Sequence, residues 1–309
     1  MNKRKLVPWL VCFASCALVF AAHAEDKKLT EGIEKDFLET VVSIEVLQEG
    51  GKGKPIGTGF LVNHPAGQAV LVTAKHVILK PNSTSLFDNL AYRLNIKGKP
   101  SHLFPADFAL HLGSKWFCSE EHDVAVKFIA FFEGITELKV IPYDFLLPKD
   151  RIQPGAGILV AGFPLGQRSE EHASPIVRRG IVALVEKSRM LVDAFTFPGN
   201  SGSPGSYVPT FKVSGDLLKP LFINRERLVG LVSSQISYVE MAISANTGRP
   251  RVTFDNAGLT QIVPCDAITT LLDRGDVKAR TRELNPNYKG NTGQPTDSGV
   301  RNSCAIPYA

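Results

Sequence analysis

The sequence predicts an all-β protein built from two β domains. Short apolar runs rich in β-branched residues, separated by turn signals, recur from about residue 41 to residue 264. After residue 47, sustained helical periodicity is absent until near residue 265. Polar, charged and proline residues cluster between Pro142 and Pro154 and divide the runs into two groups. We therefore expect an N-terminal segment and first domain over residues 25–145 and a second domain over residues 146–277.

The predicted strands follow the alternation of apolar and polar residues. In chain order they cover residues 41–47, 56–62, 69–74, 124–129, 157–162, 176–185, 189–196, 228–236 and 259–264. A short amphipathic helix is expected between Leu29 and Thr40, because Ile33, Phe37 and Leu38 have helical spacing. A second helix is expected from Asp266 to Leu272, where the aspartate suits the positive end of the helix dipole.

The first 24 residues are typical of a signal for export. Lys3, Arg4 and Lys5 precede an apolar stretch, and Ala22-His23-Ala24 is a small-x-small cleavage site. The apolar stretch is short and interrupted by Pro8, which argues against a retained membrane anchor. We expect an exported protein, periplasmic or secreted, without a stable anchor after cleavage.

The charge of the mature chain argues against a nucleic-acid partner. The full chain carries 35 basic and 30 acidic residues, and removal of residues 1–24 leaves 32 basic against 30 acidic ones. A net charge of +2 with no block of Lys or Arg does not favour binding to nucleic acid. The apparent basicity belongs mostly to the export signal.

Three cysteines remain after removal of the signal: Cys118, Cys265 and Cys304. They allow at most one internal disulfide, so at least one thiol has no disulfide partner within the chain. Which of them pair is open, and export permits a bridge without requiring it.

The segment from Phe197 to Pro204, with the sequence Phe-Pro-Gly-Asn-Ser-Gly-Ser-Pro, is the strongest functional signal. Two glycines and two prolines around Ser201 predict a tight turn that presents its hydroxyl as a nucleophile. The amides of Gly199 and Ser201 are candidates for an oxyanion hole. The alternative is an ordinary surface turn, since such turns are common.

Two earlier residues can complete the chemistry of Ser201. His76 stands at the end of an apolar run that begins at Ala69, and it is the candidate general base. Asp123 opens the apolar run that ends at Ile129, and its carboxylate is the candidate that orients the histidine. Taken alone, each has a structural alternative. His76 could be a core or surface histidine with its hydrogen bonds satisfied, and Asp123 could be an aspartate in the turn that starts a strand.

Together these blocks resemble the trypsin-like, chymotrypsin-fold serine proteases. The order is Gly57-Thr-Gly-Phe-Leu-Val62, then Val72-Thr-Ala-Lys-His76-Val, then His122-Asp123-Val-Ala-Val, then Pro198-Gly-Asn-Ser201-Gly-Ser-Pro204. The resemblance implies two six-stranded antiparallel β-barrels with the active site between them. It also implies that His76, Asp123 and Ser201 form a catalytic triad.

Within that family the sequence is most similar to the bacterial HtrA-type proteases and, around Ser201, to the glutamyl endopeptidases. The last strand, Pro264 and the following helix resemble an HtrA-type ending. Residues 278–309 are too few for the PDZ domain that usually follows, and we expect a flexible tail rich in Asn, Gly, Pro, Thr and Arg. This departure puts in doubt the cage assembly and peptide activation of that branch.

The resemblance also implies where the substrate pocket lies. It is formed by the segment before the nucleophile and a later strand, which points to Phe195, Thr196, Ser233 and Ser234. Phe195 stands where proteases that choose Lys or Arg place an aspartate, so cleavage after cationic residues is disfavoured. There is no histidine after His172, which argues against a preference for glutamate. We expect cleavage after small or aliphatic residues.

The resemblance implies a serine endopeptidase that acts on proteins or peptides and uses no cofactor. The histidines and cysteines show no metal-ligand spacing, so no metal is implied. Two alternatives are open: a protease-fold binding protein that is inactive or triggered by a partner, and an esterase with the same triad. The oligomeric state cannot be inferred from the sequence.

Overall fold

A computed structural model describes residues 35–106, 115–129, 136–169, 171–207, 227–244 and 246–288. The predicted export signal, Cys304 and most of the predicted tail lie outside these residues, as does half of the predicted first helix. Its described part is one turn, α1 (Lys35–Leu38).

The first half of the chain forms a seven-stranded antiparallel sheet. Its strands are β1 (Val41–Leu47), β2 (Gly53–Asn63), β3 (Ala69–Thr73), β4 (Leu90–Ile96), β5 (Lys99–Pro105), β6 (Phe117–Cys118) and β7 (Ala125–Ile129). They lie in the order β5-β4-β1-β2-β3-β7-β6. One helical turn, α2 (Lys75–Ile78), follows β3 directly.

The second half closes into a six-stranded barrel. Its strands are β8 (Gly157–Gly162), β9 (Ile176–Val185), β10 (Met190–Asp193), β11 (Pro204–Tyr207), β12 (Arg227–Ile243) and β13 (Pro250–Pro264). They follow one another around the barrel as β10-β13-β12-β11-β8-β9. This architecture confirms the predicted all-β, chymotrypsin-like fold, although the first half is a seven-stranded sheet where a six-stranded barrel was predicted. Closure leaves the barrel of the second half without exposed edges.

Two helices follow the last strand. They are α3 (Cys265–Leu272) and α4 (Gly275–Leu284), and α4 covers the start of the segment predicted as a tail. Ile268 and Leu271 of α3 belong to the apolar core of the first sheet, together with Phe60 of β2. α3 therefore packs the end of the second half against the first half, in addition to its contact with β12.

The predicted strands coincide with observed ones, but the structure has more of them. β4 and β5 are among the strands that escaped prediction. β5 is mostly exposed, so its residues do not alternate between a core and a solvent face. β12 and β13 extend well beyond their predicted limits into a hairpin whose apolar side chains are exposed.

Cys118 and Cys265 are both free thiols. Cys265 is buried, and its thiol donates a hydrogen bond to the Leu228 carbonyl at 3.1 Å. Burial raises the pKa of both thiols, which keeps them protonated and poorly reactive. Within the described parts of the chain, no helix has the length and apolar character to cross a bilayer.

His64, at the end of β2, is a buried histidine that stays neutral. It is 5% exposed, and its Nδ1 accepts a hydrogen bond from the Ala66 amide at 3.1 Å. Its ring packs edge-on against Phe128, Tyr143 and Tyr288. Burial lowers the pKa of His64 from 6.5 to about 4, although the nearby Asp273 carboxylate acts in the opposite direction.

We expect His64 to make the fold sensitive to acid. Between its ordinary and its folded pKa, the unfolded chain binds a proton that the native ring does not, so stability falls as pH drops from 6.5 toward 4. The loss should reach about 3 kcal/mol. Chemical denaturation at several pH values measures it. His64→Asn keeps an acceptor for Ala66 without a titrating group and should flatten the profile over this range; an unchanged profile would contradict the assignment.

Candidate active site

His76 lies at the junction of β3 and α2. The strand ends at Thr73, one residue before its predicted limit, because the chain turns into the one-turn helix that contains His76. The helix is anchored by buried Val77, and a Cβ at Gly57 of β2 would come within 2.5 Å of that side chain. Gly57 thus lets β2 approach the helix closely, and the His76 side chain remains 52% exposed.

Asp123 holds His76 at two points. It lies just before β7, where its Oδ2 is 2.7 Å from His76 Nδ1 and its Oδ1 accepts the His76 backbone amide at 3.0 Å. A proton on Nδ1 satisfies this contact and leaves Nε2 with its lone pair, as a general base requires. Residues predicted from separate blocks are thus brought into direct contact.

Asp123 also accepts a hydrogen bond from the Ser233 hydroxyl, at 2.6 Å. Burial alone would raise the pKa of Asp123. The hydrogen bond and charge of His76, the Ser233 hydroxyl and the His76 amide together outweigh burial and hold the pKa of Asp123 below its usual value. The carboxylate therefore stays ionised at neutral pH, where it favours a protonated imidazole during reaction.

Ser201 lies on a tight loop between β10 and β11. Gly199 and Gly202 flank it with φ values of 99° and 82°, a region that favours glycine. Asn200 is fully buried, and its Oδ1 accepts the Phe197 amide at 3.1 Å. The Ser201 carbonyl accepts the Thr58 amide at 2.9 Å, which ties the loop to β2 of the other half.

The loop leaves two backbone amides available. Among the described residues, neither the Gly199 amide nor the Ser201 amide donates a hydrogen bond, whereas the Asn200 amide between them donates to the Phe197 carbonyl. The Gly199 carbonyl accepts a hydrogen bond from the Thr58 hydroxyl at 2.7 Å. Two unpaired amides around a serine are what an oxyanion hole needs.

Among the described residues, no hydrogen bond joins the Ser201 hydroxyl to the His76 ring. The hydrogen bond of this hydroxyl within the described chain is a long one, 3.5 Å to the Ser233 carbonyl. Bonds between nucleophile and base are often loose without substrate and tighten in the Michaelis complex. Ser233 therefore touches both ends of the site, Asp123 through its hydroxyl and Ser201 through its carbonyl.

The role of Ser233 was not apparent from the sequence, which predicted a pocket residue. Val232 pairs with Ile262 and Ser234 with Gln261, so Ser233 is an extra residue on β12, a β-bulge. A bulge changes the direction of the side chain. Here it directs the hydroxyl of Ser233, a residue that is 7% exposed, to Asp123. No local sequence signal marks this bulge.

The other predicted pocket residues have different surroundings. Phe195 is 56% exposed, and its ring lies over Gly258, where an added Cβ would be 3.2 Å away. Thr196 is buried, and its hydroxyl is 2.8 Å from that of Thr260. Ser234 is exposed on β12. The structure thus places Phe195 at the surface rather than on a buried pocket floor.

Asn256 and Gln235 join the two predicted walls of the pocket. Asn256 Nδ2 donates to the Thr196 carbonyl at 2.6 Å and to Gln235 Oε1 at 3.2 Å, while its Oδ1 accepts the Gly258 amide at 2.9 Å. Neither residue was predicted, because their meeting depends on the pairing of β12 with β13. Both are polar and uncharged.

A family model described as a trypsin-like peptidase domain matches residues 57–205. The matched range contains His76, Asp123 and Ser201 and ends before Ser233. No curated protein matches the sequence significantly. The match covers slightly less than half of the chain and supports a serine peptidase in general; an enzyme of this kind would act on proteins or peptides.

Two solved structures are similar to the chain. The thermostable serine protease AL20 from an extremophilic microorganism has a TM-score of 0.48 at 11% identity, over 79% of this chain and 98% of its own. The human heparin binding protein has a TM-score of 0.46 at 12% identity, over 78% of this chain and 92% of its own.

Proposed function

We propose that the protein is a serine endopeptidase with Ser201 as nucleophile, His76 as general base and acid, and Asp123 as the orienting carboxylate. The observation that carries this proposal is the two-point contact of Asp123 with His76, beside the Ser201 loop. Ser233 links the two parts of the site. The match to the trypsin-like domain agrees with this chemistry.

The reaction is acyl transfer in two steps. His76 Nε2 removes the Ser201 proton while the hydroxyl oxygen attacks the peptide carbonyl carbon. The amides of Gly199 and Ser201 stabilise the negative charge that develops on the carbonyl oxygen. His76 then protonates the leaving amine, and water repeats the sequence on the acyl-enzyme to release the acid and regenerate Ser201.

We further propose cleavage after small or aliphatic residues. The Asn256 amide lies between the Thr196 segment and Gln235, so it restricts the depth of a pocket between those walls. Thr196, Gln235 and Asn256 offer no charge to pair with a buried Lys, Arg, Asp or Glu side chain. The similarity to HtrA-type proteases, and export to the periplasm or the medium, remain parts of this proposal.

One observation favours a second candidate, a protease-fold binding protein or an enzyme activated by a partner. The Ser201 hydroxyl bonds the Ser233 carbonyl rather than His76. A site of this kind would need a shift of the serine before it could react. An esterase with the same triad is the remaining alternative.

A fluorophosphonate probe tests the proposal directly. The purified protein should be labelled covalently, and Ser201→Ala should abolish labelling and lower peptide turnover by about 10⁴-fold or more. A peptide library then gives the residue before the scissile bond, and matched peptide and ester substrates separate peptidase from esterase. A folded protein without labelling would support the binding protein, and equal labelling of both proteins would refute Ser201 as nucleophile.

A further inference from the structure

Beyond the barrel, β12 and β13 continue as a two-stranded ribbon formed by residues 237–243 and 250–256. One face of the ribbon is apolar, and the other carries the charged side chains. On one face the cross-strand pairs are Val239 with Phe254, Met241 with Val252, and Ile243 with Pro250. On the other face the pairs are Tyr238 with Asp255, Glu240 with Thr253, and Ala242 with Arg251.

The apolar face of the ribbon is open to solvent. Its side chains are exposed by 60% at Val239, 70% at Met241, 73% at Ile243 and 72% at Phe254. A two-stranded ribbon gains little stability by itself, and a continuous exposed apolar patch marks a binding surface. The alternation restricts that surface to one side of the ribbon.

The edge of β12 that lies opposite β13 becomes unpaired beside Ser201, the candidate nucleophile. β11 pairs with β12 only as far as Leu231. At the next residue, the Val232 carbonyl accepts a hydrogen bond from the Gly202 amide at 2.7 Å, and the Val232 amide donates one to the Ser203 carbonyl at 2.9 Å. The Ser201 hydroxyl then reaches the Ser233 carbonyl. From there to Ile243, no described strand pairs with this edge of β12.

We propose that the apolar face of the ribbon forms a substrate rail, which binds an apolar segment of the polypeptide being cleaved at a distance from the scissile bond. The inference rests on the proposed function. A chain whose scissile carbonyl meets Ser201 passes beside Ser233, and the same chain in an extended conformation can continue along β12 as an added strand.

The geometry also specifies the substrate sequence. An added strand projects alternate side chains onto the face that carries Val239, Met241 and Ile243. Apolar residues at every second position of the substrate would therefore be bound, at some distance from the cut.

Binding to the Ser201→Ala protein tests the rail without catalysis. The probes are two fluorescein-labelled peptides: a short one covering the bond to be cleaved, and one with about 12 alternating Val and polar residues on each side of that bond, so that the side that follows β12 spans the rail at about 3.3 Å per residue. Anisotropy should show at least about tenfold tighter binding of the long peptide, equivalent to the burial of one or two side chains. Equal affinities would overturn the rail.

Two neighbouring substitutions localise the effect. Met241→Glu, on the apolar face, should remove the gain with length and leave binding of the short peptide unchanged. Ala242→Glu adds the same charge to the opposite face of the same strand and should keep the gain. Equal losses in both variants would contradict a face-specific rail.

The same variants separate this inference from the proposed function. With Ser201 intact, probe labelling should be equal in the wild type, Met241→Glu and Ala242→Glu, and its absence in all of them refutes the peptidase alone. Sedimentation tests a second copy as the occupant: dimers that Met241→Glu dissociates, without any effect of that variant on peptide binding, would overturn the rail.

Discussion

Asp123→Asn should lower kcat by about 10⁴-fold while the protein remains folded. An amide in place of the carboxylate cannot accept at both of its ends, so it no longer holds a proton on His76 Nδ1 at 2.7 Å and the backbone amide at 3.0 Å together. It also carries no charge to stabilise the imidazolium. Both effects act in the transition state, so kcat should fall more than KM rises.

A matched substitution separates this loss from a general effect of removing a carboxylate. Asp193, at the exposed end of β10, makes no hydrogen bond with the triad, and Asp193→Asn should retain activity within about twofold. Initial rates on the preferred peptide, probe labelling and thermal melting should be measured for both variants. If Asp123→Asn retained a tenth of the activity, Asp123 would not be the orienting carboxylate.

Gly199→Ala should lower kcat by about 10²- to 10³-fold, the cost of one lost oxyanion donor. Gly199 has a φ of 99°, and a Cβ there would lie 2.3 Å from the Phe163 carbonyl oxygen and 3.1 Å from the Leu165 amide. Since both contacts are with backbone, the loop itself has to move. The Gly199 and Ser201 amides would then no longer converge on one oxygen.

The proper control is a glycine with the same backbone conformation and open space around it. Gly155 has a φ of 88°, and a Cβ there would meet nothing within 4 Å. Gly155→Ala should cost about 1 kcal/mol of stability through strain but leave kcat unchanged. Equal kcat values for the two variants would show that the Gly199 loop does not support the reaction.

The candidate site was predictable where its signals are local. The glycines and prolines around Ser201 specify a turn whatever surrounds it, and apolar alternation marked β3 and the approach to β7. His76 and Asp123 stand at the ends of such runs, and the structure brings them together. By contrast, the sequence did not predict the one-turn helix that contains His76, since a single turn has too few residues for a helical period.

The sequence by itself determined the fold class and predicted His76, Asp123 and Ser201 as the candidate triad, because these inferences depend on short-range patterns of polarity and on turn chemistry. Only the tertiary structure decided that Ser233 bonds Asp123, that Asn256 bridges Thr196 and Gln235, and that the ribbon has one apolar face. These features arise from the register of β12 with β13, including a bulge of one residue. Register is set by the packing of both strands within the barrel, and a shift of one residue would turn every side chain to the opposite face.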